Sequence, residues 1–133
     1  MPADYTIDPA RRRIHTRLSG TLTDPELIAM EARLRVDPAY DAEYDHVIDA
    51  TGVTALAVTG AGIRHIVTVT PNGQGCAGRR VIVAPTDALY GMGRMFQTLR
   101  DAEPSELAVV RTREQAEALL AAPADEAPRR SPA

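Results

Sequence analysis

Three short runs rich in β-branched residues, 46–50 (HVIDA), 80–84 (RVIVA) and 107–110 (LAVV), are each followed by a stretch of helical periodicity. This alternation constrains the fold more than any other feature. Continuous apolar strands separated by helices build a parallel sheet with both faces covered, because each crossover lays a helix over the sheet.

The flanking segments complete the pattern. Residues 5–7 and 14–18 read as two strands joined by the turn Asp8-Pro9-Ala10-Arg11, an antiparallel hairpin. Thr23-Asp24-Pro25-Glu26 has capping-box form and opens a helix carrying Leu27, Met30 and Leu34, which ends before Asp37-Pro38. After a loop over 53–58, Thr59 caps a second helix with Ile63, Ile66 and Val67 on one face, stopped by Pro71-Asn72-Gly73. Pro85-Thr86-Asp87 leads into a third helix over 86–101 with Leu89, Met92, Phe96 and Leu99 in register. Thr112-Arg113-Glu114-Gln115 is a second capping box, opening a fourth helix through Ala116, Leu119 and Leu120. Residues 121–133 are rich in Pro, Ala and charge without periodicity, which predicts a disordered tail. The expectation is a single α/β domain over 4–120, a mixed five-stranded sheet with about four helices in the order ββαβαβαβα.

A chain of 133 residues is long enough to bury one core. The formal charge of −3 gives no electrostatic reason to expect nucleic acid as a partner, and all the basic residues are Arg. Cys76 is the only cysteine, so no intrachain disulfide or thiolate metal cluster is expected, and a reducing compartment is the simplest reading. Residues 1–13 lack the apolar core of a signal peptide, and no apolar run reaches membrane-spanning length. A cytoplasmic location is therefore expected, with no cofactor and no metal.

Several residues bear on function. Gly73-Gln74-Gly75-Cys76-Ala77-Gly78 matches G-x-G-x-x-G, but it leaves a helix and enters a strand, the reverse of the phosphate-binding arrangement. Cys76 has no partner in the sequence that would activate it as a nucleophile. Thr59 and Gly60 begin a helix and form a candidate anion or phosphorylation site, although a plain N-cap explains them equally. Asp49 falls at the carboxyl end of a buried strand, where open α/β sheets bind ligands. Asp49 with His65 would be the pairing of a hydrolase, but neither residue has an evident orienting partner. His15, His46 and His65 lack metal-ligand spacing. The third helix carries Gly91 and Gly93, each costing about 1 kcal/mol relative to alanine. Close packing, or bending over an apolar pocket lined by Tyr90, Met92, Met95 and Phe96, would offset that cost, with Arg94 near the mouth for a ligand headgroup.

The element order, the V-I-D strand at 47–49, and Ala84-Pro85-Thr86-Asp87 running into Tyr90-Gly91-Met92-Gly93-Arg94-Met95-Phe96 resemble the SpoIIAA-like branch of STAS domains, which includes small bacterial proteins of the STAS/SEC14-like kind. The resemblance covers 4–120. In the anti-sigma-factor antagonists of that branch, a D-S-S-G motif at the start of the second helix carries a phosphoserine that a kinase partner reads. Here the matching residues are Ala57-Val58-Thr59-Gly60, which leaves only Thr59 with a hydroxyl.

Two functions follow as expectations. The first is a non-enzymatic regulatory or protein-interaction module, STAS-like and homodimeric in kind, presenting its second and third helices and the segment 51–59 to an unidentified protein partner. The alternative is a small apolar-ligand or lipid-binding protein with peripheral membrane contact, in which helix 86–101 moves.

Overall fold

The structure is a computed structural model that describes residues 3–69, 78–100 and 107–121. Five strands and four helices alternate as β1 (Ala3–Asp8), β2 (Arg13–Thr23), α1 (Asp24–Val36), β3 (Asp45–Ala57), α2 (Gly60–Val69), β4 (Arg80–Val83), α3 (Asp87–Leu99), β5 (Leu107–Val110) and α4 (Arg113–Ala121). The strands form one mixed sheet in the order β1-β2-β3-β4-β5. Only the β1–β2 pair is antiparallel, and every later neighbour is parallel. The α/β architecture, with one mixed five-stranded sheet and four helices among the described residues, is thus as the alternation predicts.

Adjacent residues along β3 point to opposite faces of the sheet, and the two faces bury different helices. On one face Leu18, Leu22 and Ala50 pack with Met30 of α1, Ile63 of α2 and Leu89 of α3. On the other, Val47, Val81 and Val83 pack with Ala116 and Leu120 of α4. No helix of the described residues is long and apolar enough to cross a membrane.

Several boundaries differ from the sequence reading. β2 runs to Thr23 and β3 to Ala57, so 53–57 is strand rather than loop, as is most of the segment 51–59. The cause is mutual pairing: Ser19 to Thr23 and Gly52 to Ala57 lack clean alternation, yet each supplies the other's ladder across two register shifts. The third helix begins at Asp87 and ends at Leu99. Ala121 closes α4 rather than starting a tail, and 122–133 lie outside the described residues, as do Gly73, Gly75 and Cys76.

The two capping boxes behave differently. At α4 the reciprocal form is made: the amide of Gln115 donates to Thr112 Oγ1 at 3.1 Å, and Gln115 Oε1 accepts from the amides of Arg111 and Thr112 at 2.8 and 3.2 Å. At α1 the Thr23 hydroxyl donates to Glu26 Oε1 at 3.1 Å, and its side chain caps no backbone amide.

Candidate functional site

The largest core leaves a cavity of about 90 Å³ between the sheet and helices α1, α2 and α3. Leu18, Leu27, Met30, Ile63, Met92 and Phe96 are among its walls, and among the described residues Glu31 is the one charged side chain there. Of the four α3 residues expected to line a pocket, with Arg94 near its mouth, Met92 and Phe96 do so. Tyr90 and Met95 instead pack beside the core cluster, half-buried, and Arg94 is exposed and off the cavity wall. Tyr90 lies under the Arg111 guanidinium, 4.3 Å from its ring centroid, and Arg111 in turn pairs with Asp87 at 2.9 Å. That stack draws Tyr90 toward β5 and away from the cavity.

The two glycines of α3 have different surroundings. A Cβ at Gly93 would come within 2.9 Å of Val109 Cγ1, so this glycine lets the helix approach β5 closely. A Cβ at Gly91 would meet nothing within 4 Å, so packing does not require that residue to be glycine.

Thr59 caps α2, its Oγ1 accepting from the amide of Gly62 at 3.0 Å. The anion position at this helix start is taken by the protein itself. Asp24 Oδ1 accepts from the Thr59 amide at 2.8 Å and Oδ2 from the Thr59 hydroxyl at 2.6 Å. These bonds hold the Asp24 carboxyl below its ordinary range, the side-chain bond contributing most. A Cβ at Gly62 would overlap the same carboxylate. A phosphate on Thr59 would meet Asp24 as like charge against like charge. Gly60 lies beside Met95, whose Cε would be 3.2 Å from an added Cβ.

Asp49 lies within β3 and points to the α4 face. Its Oδ1 accepts from the amide and hydroxyl of Thr51 at 2.9 and 2.6 Å, and Oδ2 accepts from Arg113 Nε at 2.8 Å. Burial alone would raise its carboxyl, and these bonds together outweigh burial and lower it. The carboxylate thus ties β3 to the start of α4. The sheet separates Asp49 from His65 and Arg94, which belong to helices of the opposite face, so the pairing of Asp49 with His65 is not formed. Asp49 instead shares a polar hollow of about 190 Å³ with His15, Arg17 and Ser19. His15 and Ser19 are four residues apart on one strand, roughly 13 Å at strand rise, too far for a nucleophile and its base. Among the described residues no cluster of three His, Cys, Asp or Glu could hold a metal.

The sequence reading overlooked a second pocket. A cavity of about 40 Å³ adjoins the first near the amino ends of β3 and β4, sharing Glu31, Ile48 and Phe96 as common wall. Arg35, His46 and Arg80 also line it. Glu31 and Arg35 form an ion pair at 3.7 Å, with 15% and 23% of their side chains exposed. Among the described residues the buried Arg35 Nε has no hydrogen-bond partner. Burial pushes the Glu31 carboxyl up, opposed by the charges of Arg35, Arg80 and Arg100. His46 lies 2.6 Å from Thr16 Oγ1, and burial, reinforced by Arg80 and Arg35, lowers it to about 3, so its ring is neutral at physiological pH. A signal for Glu31 was available: it follows Leu27 by four residues and precedes Leu34 by three, a position on the apolar stripe of α1.

No protein-family model matches this chain, and no curated protein matches it in sequence.

Proposed function

We propose that the protein is a binding module of the STAS-like type that takes a small apolar ligand between α1, α2, α3 and the sheet. The carrying observation is the half-open cavity of about 90 Å³ in the larger core, apolar among the described residues but for Glu31. An interior normally packs as densely as an organic crystal, so a void of this size forgoes contacts that a guest would restore. Apolar cavities of roughly 150 Å³ stay dry and admit benzene, which makes the present one suited to a smaller guest or to a larger one after widening. Gly91 supports widening, since it loosens α3 over the cavity and no packing contact accounts for it. The order ββαβαβαβα and the mixed five-stranded sheet support the STAS-like part of the reading.

The protein-interaction reading draws less from the geometry. The exposed large apolar residues Val36, Leu99 and Leu119 belong to three different helices, and Asp24 occupies the anion position at Thr59.

Thermal denaturation with a series of n-alkanols tests the proposal. The melting temperature is expected to rise with alkanol concentration, as it does for any guest that binds only the folded state. Ala50→Val, which adds two methyl groups to a strand residue on the cavity wall, should abolish the rise. A wild-type melting temperature that no alkanol raises would sink the reading.

A further inference from the structure

We infer that the ligand is an apolar monocarboxylate, its chain in the larger cavity and its carboxylate in the adjoining polar pocket against Arg35 and Arg80. This rests on the apolar-ligand reading above and adds the chemical class of the headgroup. Three observations carry it. The two cavities share Glu31, Ile48 and Phe96, so an amphiphile lying past the Phe96 ring would span both. Arg35 Nε is buried and meets no hydrogen-bond acceptor among the described residues, its ion-pair contact with Glu31 Oε2 lying at 3.7 Å, beyond hydrogen-bond length. A buried donor left unused is costly, and a ligand carboxylate supplies the missing acceptor in a charge-assisted bond.

The charged groups on the described wall of the polar pocket are Arg35 and Arg80 beside Glu31 and Asp41, with His46 neutral. Asp41 is half-buried and accepts from the amide of Glu43 at 2.9 Å within its own turn, so the guanidiniums of Arg35 and Arg80 are the groups a ligand carboxylate would meet. Arg94, the headgroup partner expected from the sequence, is exposed and lines neither cavity.

Calorimetric titration of the full chain with octanoate, 1-octanol and octylammonium, which share one chain length, tests the assignment. Octanoate is expected to bind about tenfold tighter than octanol, the scale of one charge-assisted bond, with octylammonium weakest. Arg80→Gln should reduce octanoate affinity about fivefold or more and leave octanol unchanged. Arg35→Gln should do the same; should it fail to fold because Glu31 loses its partner, Arg80→Gln alone decides. Equal binding of octanoate and octanol overturns this inference and leaves the apolar reading standing. Tightest binding of octylammonium assigns the headgroup to Glu31 and also overturns it. An octanoate preference that survives Arg80→Gln overturns the placement, and absence of binding by all three overturns both readings.

Discussion

Gly91 and Gly93 are two positions apart on α3 and answer to different neighbours. Adding a Cβ at Gly91 removes the conformational freedom of glycine without touching any atom, so Gly91→Ala should stabilise the protein by about 0.5–1 kcal/mol. Gly93→Ala should destabilise it, because the new methyl meets Val109 on β5 at 2.9 Å. Urea denaturation of the two variants checks both signs, and destabilisation by Gly91→Ala would show that the helix depends on that glycine. The sequence showed both as costly in a helix, but only Val109, sixteen residues beyond Gly93, separates their roles. Asp24 teaches the same lesson from a greater distance. As a first-turn acid of α1 it reads as favourable to its own helix dipole, yet its carboxylate reaches the amide and hydroxyl of Thr59 at the start of α2. Glu31 was the most legible of the missed residues, since a charge on an apolar stripe already asks for a buried partner.

At the scale of elements, capping chemistry is readable as a motif while its execution depends on context. The Thr112 and Gln115 side chains between them satisfy three backbone amides at the start of α4. Thr112→Ala should therefore cost about 1 kcal/mol. Thr23→Ala should cost less, because Thr23 bonds Glu26 side chain to side chain and caps no amide. Chemical denaturation of the pair checks the ranking. The cores of β3, β4 and β5 were legible from their β-branched runs, and the four helices from their periodicity and caps. The extension of β3 past Ala50 was not, because TGVTALA owes its strand conformation to β2 alongside it and carries no strong strand pattern of its own. Pairing of this kind is a property of two segments together.

For the molecule as a whole, acid stability follows from groups whose titration differs between folded and unfolded chains. His46 titrates near its ordinary 6.5 when unfolded and is held to about 3 when folded. Between those values the unfolded chain binds the extra proton, so this residue's contribution to stability falls by about 1.4 kcal/mol per pH unit as pH drops. Asp24, Asp37 and Asp49 are depressed, so the stability they confer is present above their ordinary carboxylate range and is lost as pH falls through their folded values. Glu31 is raised and acts in the opposite sense, favouring the folded state as pH falls through its window. The comparison of wild type with His46→Gln isolates the imidazole. Their stability difference should change by about 1–2 kcal/mol between roughly pH 7 and pH 5, the wild type losing more. Parallel curves would mean that His46 takes up its proton in the folded state.

The sheet order β1-β2-β3-β4-β5 has a consequence for how the chain is made. Every strand lies beside the one synthesised just before it, so no segment emerging from a ribosome must wait for a distant partner. The hairpin can form first, and each later crossover adds one strand to a surface already waiting, a vectorial assembly in which the growing edge is always the newest.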